Sequence, residues 1–363
     1  MMESNVFMGI ALHAVGGIAA ATCFVPQKGT TRWSYQSFWL LMCLLAWVIM
    51  PIAVAFFTVP DLMEVIKESP NNAIWNTFFL GAAYGFGGMA FGIAIRHIGF
   101  SLTYAIAIGI SAILGTITPA LLKGNLIENL EKPGGNIVLI GFAASLLGMS
   151  LCGFAGFLKE KELTGTDSKF DFKKGLILVI LAGLLSAVFG IALSKGAPID
   201  KLAADHGAGQ FKGNATYIFA MGGAFITNLI WWGAIHIRKR TWSEYIALPS
   251  KPQGQGSIRS HYIFGMLAGI LWYLQFFFYG LGHVRMGGSG FISWGIHMAM
   301  LIFFSFGIGL ILKEWKGLGL KTISVLLVGL AILLGSFILV AKGSIIGENA
   351  DKAAGAKSEV KGH

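Results

Sequence analysis

Charge is scarce in this chain. Asp, Glu, Lys and Arg make up 12 % of its 363 residues, roughly half the share of an ordinary soluble domain. Beside 55 % hydrophobic residues, that scarcity excludes a fold living in water. Acids are scarcest, 17 Asp and Glu against 27 Lys and Arg, and none falls within the long apolar runs. No G-x-x-x-x-G-K-[ST] occurs, so the chain has no loop for the phosphates of ATP. No paired His and carboxylate spacing suggests a metal site or a nucleophilic triad, and no cofactor is expected. Cys23, Cys43 and Cys152 are the three cysteines, and each lies inside an apolar run. They read as small packing residues rather than a disulfide framework. The start, "MMESNVFMGI", lacks the basic region of a signal peptide. "AATC", ending at Cys23, resembles a lipoprotein cleavage box, but cutting there would destroy the first apolar run.

What is present is hydrophobic length. A hydrocarbon core about 30 Å thick needs roughly 20 apolar residues per helix. Ten runs qualify: residues 5–25, 36–58, 73–95, 100–122, 136–157, 174–194, 213–237, 261–283, 290–312 and 319–341. They use nearly the whole chain and leave no soluble domain. A membrane barrel would need alternating polarity, and "GLILVILAGLLSAVFGIAL" does not alternate. The reading is an all-α membrane protein. Its 50 glycines fit close helix approach, because small residues let backbones meet in lipid. The tail 343–363, "GSIIGENADKAAGAKSEVKGH", reads as disordered.

Loops rich in Lys and Arg stay cytoplasmic. Those after spans 1, 3, 5, 7 and 9 hold sixteen, against seven after spans 2, 4, 6 and 8, so both termini are expected outside, in the periplasm. The basic balance is explained by these flanks, and nucleic acid need not be invoked. The halves also resemble each other. "MGIALHAVGGIAAATCFVPQKG" (8–29) aligns with "KGLILVILAGLLSAVFGIALSKG" (174–196), pairing Gly9 with Gly175 and Gly17 with Gly183. Five spans per half force the second copy upside down. The expected plan is two inverted five-helix repeats, 1–158 and 172–342, with a site between them near the midplane.

Ionisable groups inside a membrane are costly and face a cavity or a partner. Here they are histidines: His13 in span 1, His283 ending span 8 and His297 in span 9. These three are the candidates for handling a proton, since histidine titrates near pH 6.5. His97 and His236, at helix ends beside Arg96 and Arg238, read as interfacial flanks. Trp272, Gln275, Tyr279 and His283 recur at i, i+3, i+7 and i+11, one face of one helix. Flat rings beside amide, hydroxyl and imidazole groups suit a small hydroxylated molecule. An interfacial aromatic belt would explain Tyr279, but poorly the deeper Gln275. Candidate partners from other spans are Asn76 and Tyr84, Asn228, and Trp294; each also has a packing explanation.

Several segments together, "MGIALHAVGGIAAATCFVPQKG", "AIAIGISAILGT", "GILWYLQFFFYGLGH", "FISWGIHMAM" and "LILKEWKG", resemble the bacterial L-rhamnose-proton symporter family of the drug/metabolite transporter superfamily. The likeness runs from about residue 8 to 340, and "WYLQFFFYGLGH" is its most specific piece. It implies ten helices in an inverted repeat, the bacterial inner membrane, and import of L-rhamnose, or L-lyxose or L-mannose, with protons. His13, Gln275, His283 and His297 fall within the matching motifs. One departure is "GGSGF": where enteric members have an acid just before "ISW", this chain has Gly290 and Phe291, so coupling here is expected to rest on histidine. The rival expectation is an exporter of small amphipathic metabolites, whose aromatic cavity would look similar; an embedded enzyme or a sugar sensor fits less well.

Overall fold

Backbone groups in lipid must be satisfied within their own segment, and among the described residues all regular structure is helical. The structure is a computed structural model that describes residues 5–361, apart from 99, 123, 125, 165–171 and 249–255. Residues 1–4 and three lysines of the charge count, Lys123, Lys169 and Lys251, lie outside the described residues. The helices are α1 (Val6–Thr22), α2 (Tyr35–Leu44), α3 (Met50–Thr58), α4 (Leu62–Glu68), α5 (Asn71–Ile98), α6 (Phe100–Leu122), α7 (Leu126–Glu131), α8 (Gly135–Thr164), α9 (Phe172–Lys195), α10 (Ala197–Asp205), α11 (Asn214–Lys239), α12 (Ile258–His283), α13 (Ser293–Ile311) and α14 (Leu320–Lys361). Among the described residues, nine segments are long and apolar enough to cross a membrane, and Thr103–Pro119 within α6 is a shorter tenth. The ten expected spans are therefore present, and the chain is a multi-pass membrane protein.

Local chemistry sets several boundaries. Asn5 caps α1, its side chain accepting from the Met8 amide at 3.0 Å, and Ser257 caps α12 in the same way through Ser260. Such caps satisfy amides that the first helical turn leaves open. α2 and α3 form one rod across a wide π turn, Leu45–Ile49. Pro51 lies just beyond it, and a proline cannot donate to the carbonyl four residues back, so the wider turn accommodates it.

Small residues decide the packing. α1 lies on α12 and α13, and α9 lies on α5 and α6. Gly9 abuts Gly282 of α12, and Gly175 abuts His97 and Ile98 of α5. Gly17 meets Met300 and Phe304 of α13, whereas Gly183 meets Ala107 and Ile110 of α6. α8 and α14 pair along a seam of Gly134 with Gly343, Gly141 with Val340, and Gly148 with Gly329 and Leu333. That seam bears on the tail. Residues 343–361, expected to be disordered, continue α14, with Gly343 docked on Gly134 and Gly347 facing the Pro133 carbonyl. The polar composition hid the helix because its first turns are held by backbone approach, not by apolar side chains.

The two ends differ in character. At one, Lys28 and Lys159 both approach Glu314, at 3.5 and 3.9 Å, and Lys159 sits 4.6 Å over the Trp315 ring. Also in these loops, the buried Glu244 carboxylate accepts from the Ser34 amide (2.8 Å) and from the Ser34 and Ser37 hydroxyls (2.7 and 2.5 Å). This basic end carries the loops after spans 1, 5, 7 and 9. The opposite end carries the short helices α4, α7 and α10 where the sequence predicts loops. α4 and α10 bury Val65, Ile199 and Ala203 against Ala55 and Ala215.

Candidate functional site

Two cavities enter the bundle from opposite ends. The larger, about 750 Å³, is lined by Phe24, Trp39, Tyr84, Trp272, Gln275 and Trp294, and reaches the exposed Arg238 and Lys239 at the basic end. The smaller, about 650 Å³, is lined by Asp200, Tyr217, Tyr279, His283, Phe291 and Trp294. Trp294 belongs to both walls. Phe189 packs against Phe276 (4.9 Å between ring centroids) and Trp294 (6.3 Å), and Tyr217 donates to the Phe276 carbonyl at 2.9 Å. These four rings form an aromatic septum between the cavities.

On the larger side, Trp272 stands within 5.6–6.2 Å of the Phe24, Trp39 and Trp47 rings, mostly edge to face. Trp39 also stacks on Phe24 (6.2 Å) and Tyr35 (5.6 Å). Among the described residues, the buried indole N–H groups of Trp232 and Trp272, on this wall, and of Trp47, packed against Trp272, have no hydrogen-bond partner. Buried donors are nearly always satisfied, so two on one aromatic wall mark a place for acceptor oxygens. Gln275, 5 % exposed, brings an amide to the same wall. Trp294 is fixed differently. Its indole N–H bonds to the Ser111 carbonyl at 3.1 Å, and Gly115 supplies the room, since a Cβ there would lie 2.5 Å from that nitrogen. The Trp294 ring thus keeps its orientation while forming part of both cavity walls.

Behind the smaller cavity, Tyr279 touches all three histidines singled out in the sequence. Its ring lies 5.6 Å from His13, 5.3 Å from His297 and 5.8 Å from His283, and His13 lies 5.6 Å from His297. His13 and His297 are fully buried, whereas His283 is exposed at the cavity mouth. Ser293, also fully buried, places its hydroxyl 2.8 Å from His13 Nε2. Among the described residues, His13 Nδ1 and both His297 nitrogens have no hydrogen-bond partner.

Two predicted residues sit elsewhere. Asn228 lines neither cavity: its carbonyl accepts from Trp39 Nε1 at 2.9 Å, and its amide donates to the Gly85 and Ala224 carbonyls. It clamps α5, α11 and Trp39, acting on the chamber only through Trp39. Asn76 is exposed on α5, outside both cavities. Sequence reasoning missed Ser293, and it missed Asp200. Asp200 follows the sixth apolar run, yet α10 turns it back so that, among the described residues, it is the one carboxylate on either cavity wall, held by the Thr216 hydroxyl at 2.5 Å. Gln210, on the same wall, accepts from Arg285. Among the described residues, the one group spaced for a cation, Asp61, Glu64 and His206, lies on the surface away from both cavities.

Residues 2–347 match the family model described as L-rhamnose-proton symport protein. The chain is 33 % identical over 334 residues to an L-rhamnose-proton symporter of Mannheimia succiniciproducens, covering 92 % of this chain and 96 % of that protein. It is 31 % identical over 335 residues to the symporters of that name from Yersinia pestis and Yersinia pseudotuberculosis, with the same coverage.

Proposed function

Because the chain belongs to the L-rhamnose-proton symporter family, we propose that it imports L-rhamnose, or the related L-lyxose or L-mannose, together with protons by alternating access. Membership makes it a transporter rather than an enzyme, and does not favour the exporter reading. The observation that carries the proposal is the pairing of two environments across one septum. An aromatic chamber with unpartnered indole donors and Gln275 lies on one side, and a buried histidine pair beneath Tyr279 on the other.

The chamber suits a sugar. Pyranose C–H faces pack on Trp272, Trp39 and Tyr84, while hydroxyls exchange water for the indole N–H groups and the Gln275 amide. His13 and His297 take the proton, His283 serves the mouth, and Tyr279 and Trp294 stand between proton and sugar. Asn228 contributes by holding Trp39. Protonation of a buried histidine alters the balance between the two openings only because the two states solvate it differently. With the loops of the basic end cytoplasmic, both termini lie outside in a bacterial inner membrane, and the larger cavity faces inward.

The two halves, 1–158 and 172–342, are read as inverted repeats. Supporting this, α1 meets α12 and α13 through Gly9 and Gly17, as α9 meets α5 and α6 through Gly175 and Gly183. The energetics are sufficient. One charge falling through 100 mV supplies about 2.3 kcal/mol and one pH unit about 1.4 kcal/mol, together supporting on the order of several hundred-fold accumulation of an uncharged sugar. The test is labelled L-rhamnose uptake into proteoliposomes under an imposed pH gradient, with His13→Gln and His297→Gln beside the unaltered protein. Gradient-driven accumulation that both variants lose, while sugar exchange persists, supports the reading. Accumulation indifferent to the gradient contradicts it.

A further inference from the structure

Tyr279 lines the smaller cavity, where water reaches, and His13 is sealed behind it. The Ser293 hydroxyl lies 2.8 Å from His13 Nε2, and the Tyr279 ring packs 5.6 Å from the ring of His13 and 5.3 Å from that of Trp294, the next residue after Ser293. Ser293 opens α13 at the end of a short 3-10 turn, Gly287–Ile292, so its position is set by the chain turning into the membrane there. On the other flank, Gly282 leaves the His13 ring room, since a Cβ there would fall 2.9 Å from His13 Cε1. The ring is thereby aimed at Ser293.

We propose that Ser293 is the middle link of a proton relay that runs from the smaller cavity through Tyr279 and Ser293 to His13. The proposal rests on the proton-symport reading above and adds its route. A hydronium ion in the cavity gives a proton to the Tyr279 hydroxyl and is left as water; Tyr279 passes its own to Ser293, and Ser293 passes its own to Nε2 of a neutral His13 carrying its hydrogen on Nδ1. Each hydroxyl gains one proton and loses one. His13 alone ends charged, as imidazolium, beside His297, and release runs the same steps backwards. A hydroxyl suits this place because it donates and accepts at once and its hydrogen rotates. Without Ser293, Nε2 would join Nδ1 as an unpartnered buried nitrogen, and the tautomer would no longer be set. The titratable groups around His13 are His297 on α13 and His283 and Tyr279 on α12. α14, which also packs on α1, has no ionisable residue between Lys321 and Lys342.

The experiment compares Ser293→Ala, Ser293→Thr and His13→Gln in proteoliposomes, reading L-rhamnose counterflow at equal pH and pH-gradient-driven uptake as a function of external pH. Ser293→Ala is expected to keep counterflow within about twofold, lose at least roughly tenfold in gradient-driven uptake and shift its pH profile, since a positioned proton-transfer group is worth that much or more. Ser293→Thr, which keeps the hydroxyl, is expected to restore both. If His13→Gln uncouples while Ser293→Ala retains gradient-driven uptake with an unaltered pH profile, the relay is overturned and the histidine reading survives. If His13→Gln itself remains coupled, the underlying reading fails first. Loss of counterflow in Ser293→Ala that Ser293→Thr does not restore would show a packing role and also overturn the relay.

Discussion

Gln275 and Trp272 share one face of α12 and the chamber wall, yet they should fail differently when replaced. Trp272→Ala removes a flat surface, and loss of about 1 kcal/mol of ring contact is expected to raise the KM for L-rhamnose roughly fivefold. Gln275→Leu keeps the volume but removes the amide. Its expected cost of about 1–1.5 kcal/mol in hydrogen bonding should appear against L-rhamnose and shrink for an analogue lacking the matching hydroxyl. Both effects are read from concentration-dependent uptake. The asparagines provide a contrast in stability. Asn228→Ala strands the Trp39 indole, a buried donor costing about 1–3 kcal/mol when unsatisfied, and removes the side-chain bonds to the Gly85 and Ala224 carbonyls, which keep their helical amides. The expected result is a lower melting temperature in detergent, whereas Asn76→Ala on the exposed face should stay within about 0.5 kcal/mol. Sequence could not separate these two, because an asparagine in an apolar run has the same signature as ligand or as clamp. The stripe from Trp272 to His283 was legible because it repeats along one helix. Ser293 and Asp200 were not, because Ser293 gains its meaning from His13, 280 positions away, and Asp200 from a short helix that folds back.

Helices meet where a side chain would prevent it. A Cβ on Gly223 would fall onto the Phe78 carbonyl oxygen and within 2.8 Å of the Ala82 amide nitrogen in α5. Backbone cannot move aside, so Gly223→Ala is expected to abolish recovery of monodisperse protein. Gly222→Ala, with nothing within 4 Å of its Cβ, should express normally, and size-exclusion profiles of the pair check this. At the end opposite the basic loops, His206 links the chain after α10 to α4, its ring nitrogens 3.6 Å from Asp61 and 3.4 Å from Glu68. The Glu68 hydrogen bond, more than the burial that opposes it, raises the His206 pKa above its ordinary value, with Asp61 adding to the effect. A raised folded pKa stabilises fully below the unfolded value near 6.5 and is lost as pH climbs past the folded one. His206→Gln should therefore speed deuterium exchange in α4 at pH 6 and change little at pH 9. The ten spans were legible in the sequence because apolar run length matches bilayer thickness. α4 and α10 were not, since a helix of two or so turns at the surface leaves no long run, and the helical start of the tail was masked by its polar composition.

At the scale of the whole molecule, two cavities separated by four rings describe a pathway closed near its middle. Phe276, Phe189, Tyr217 and Trp294 block passage, and the histidines lie within one ring of that block through Tyr279. On the proposed reading, alternating access amounts to opening the septum toward one cavity at a time. The central claim is that sugar and proton cross together. It is tested most directly by the external pH of a weakly buffered suspension of cells expressing the protein, recorded as L-rhamnose is added. The account predicts a transient alkalinisation that an uncoupler abolishes and that control cells lack. L-rhamnose entering those cells with no change in external pH would contradict it.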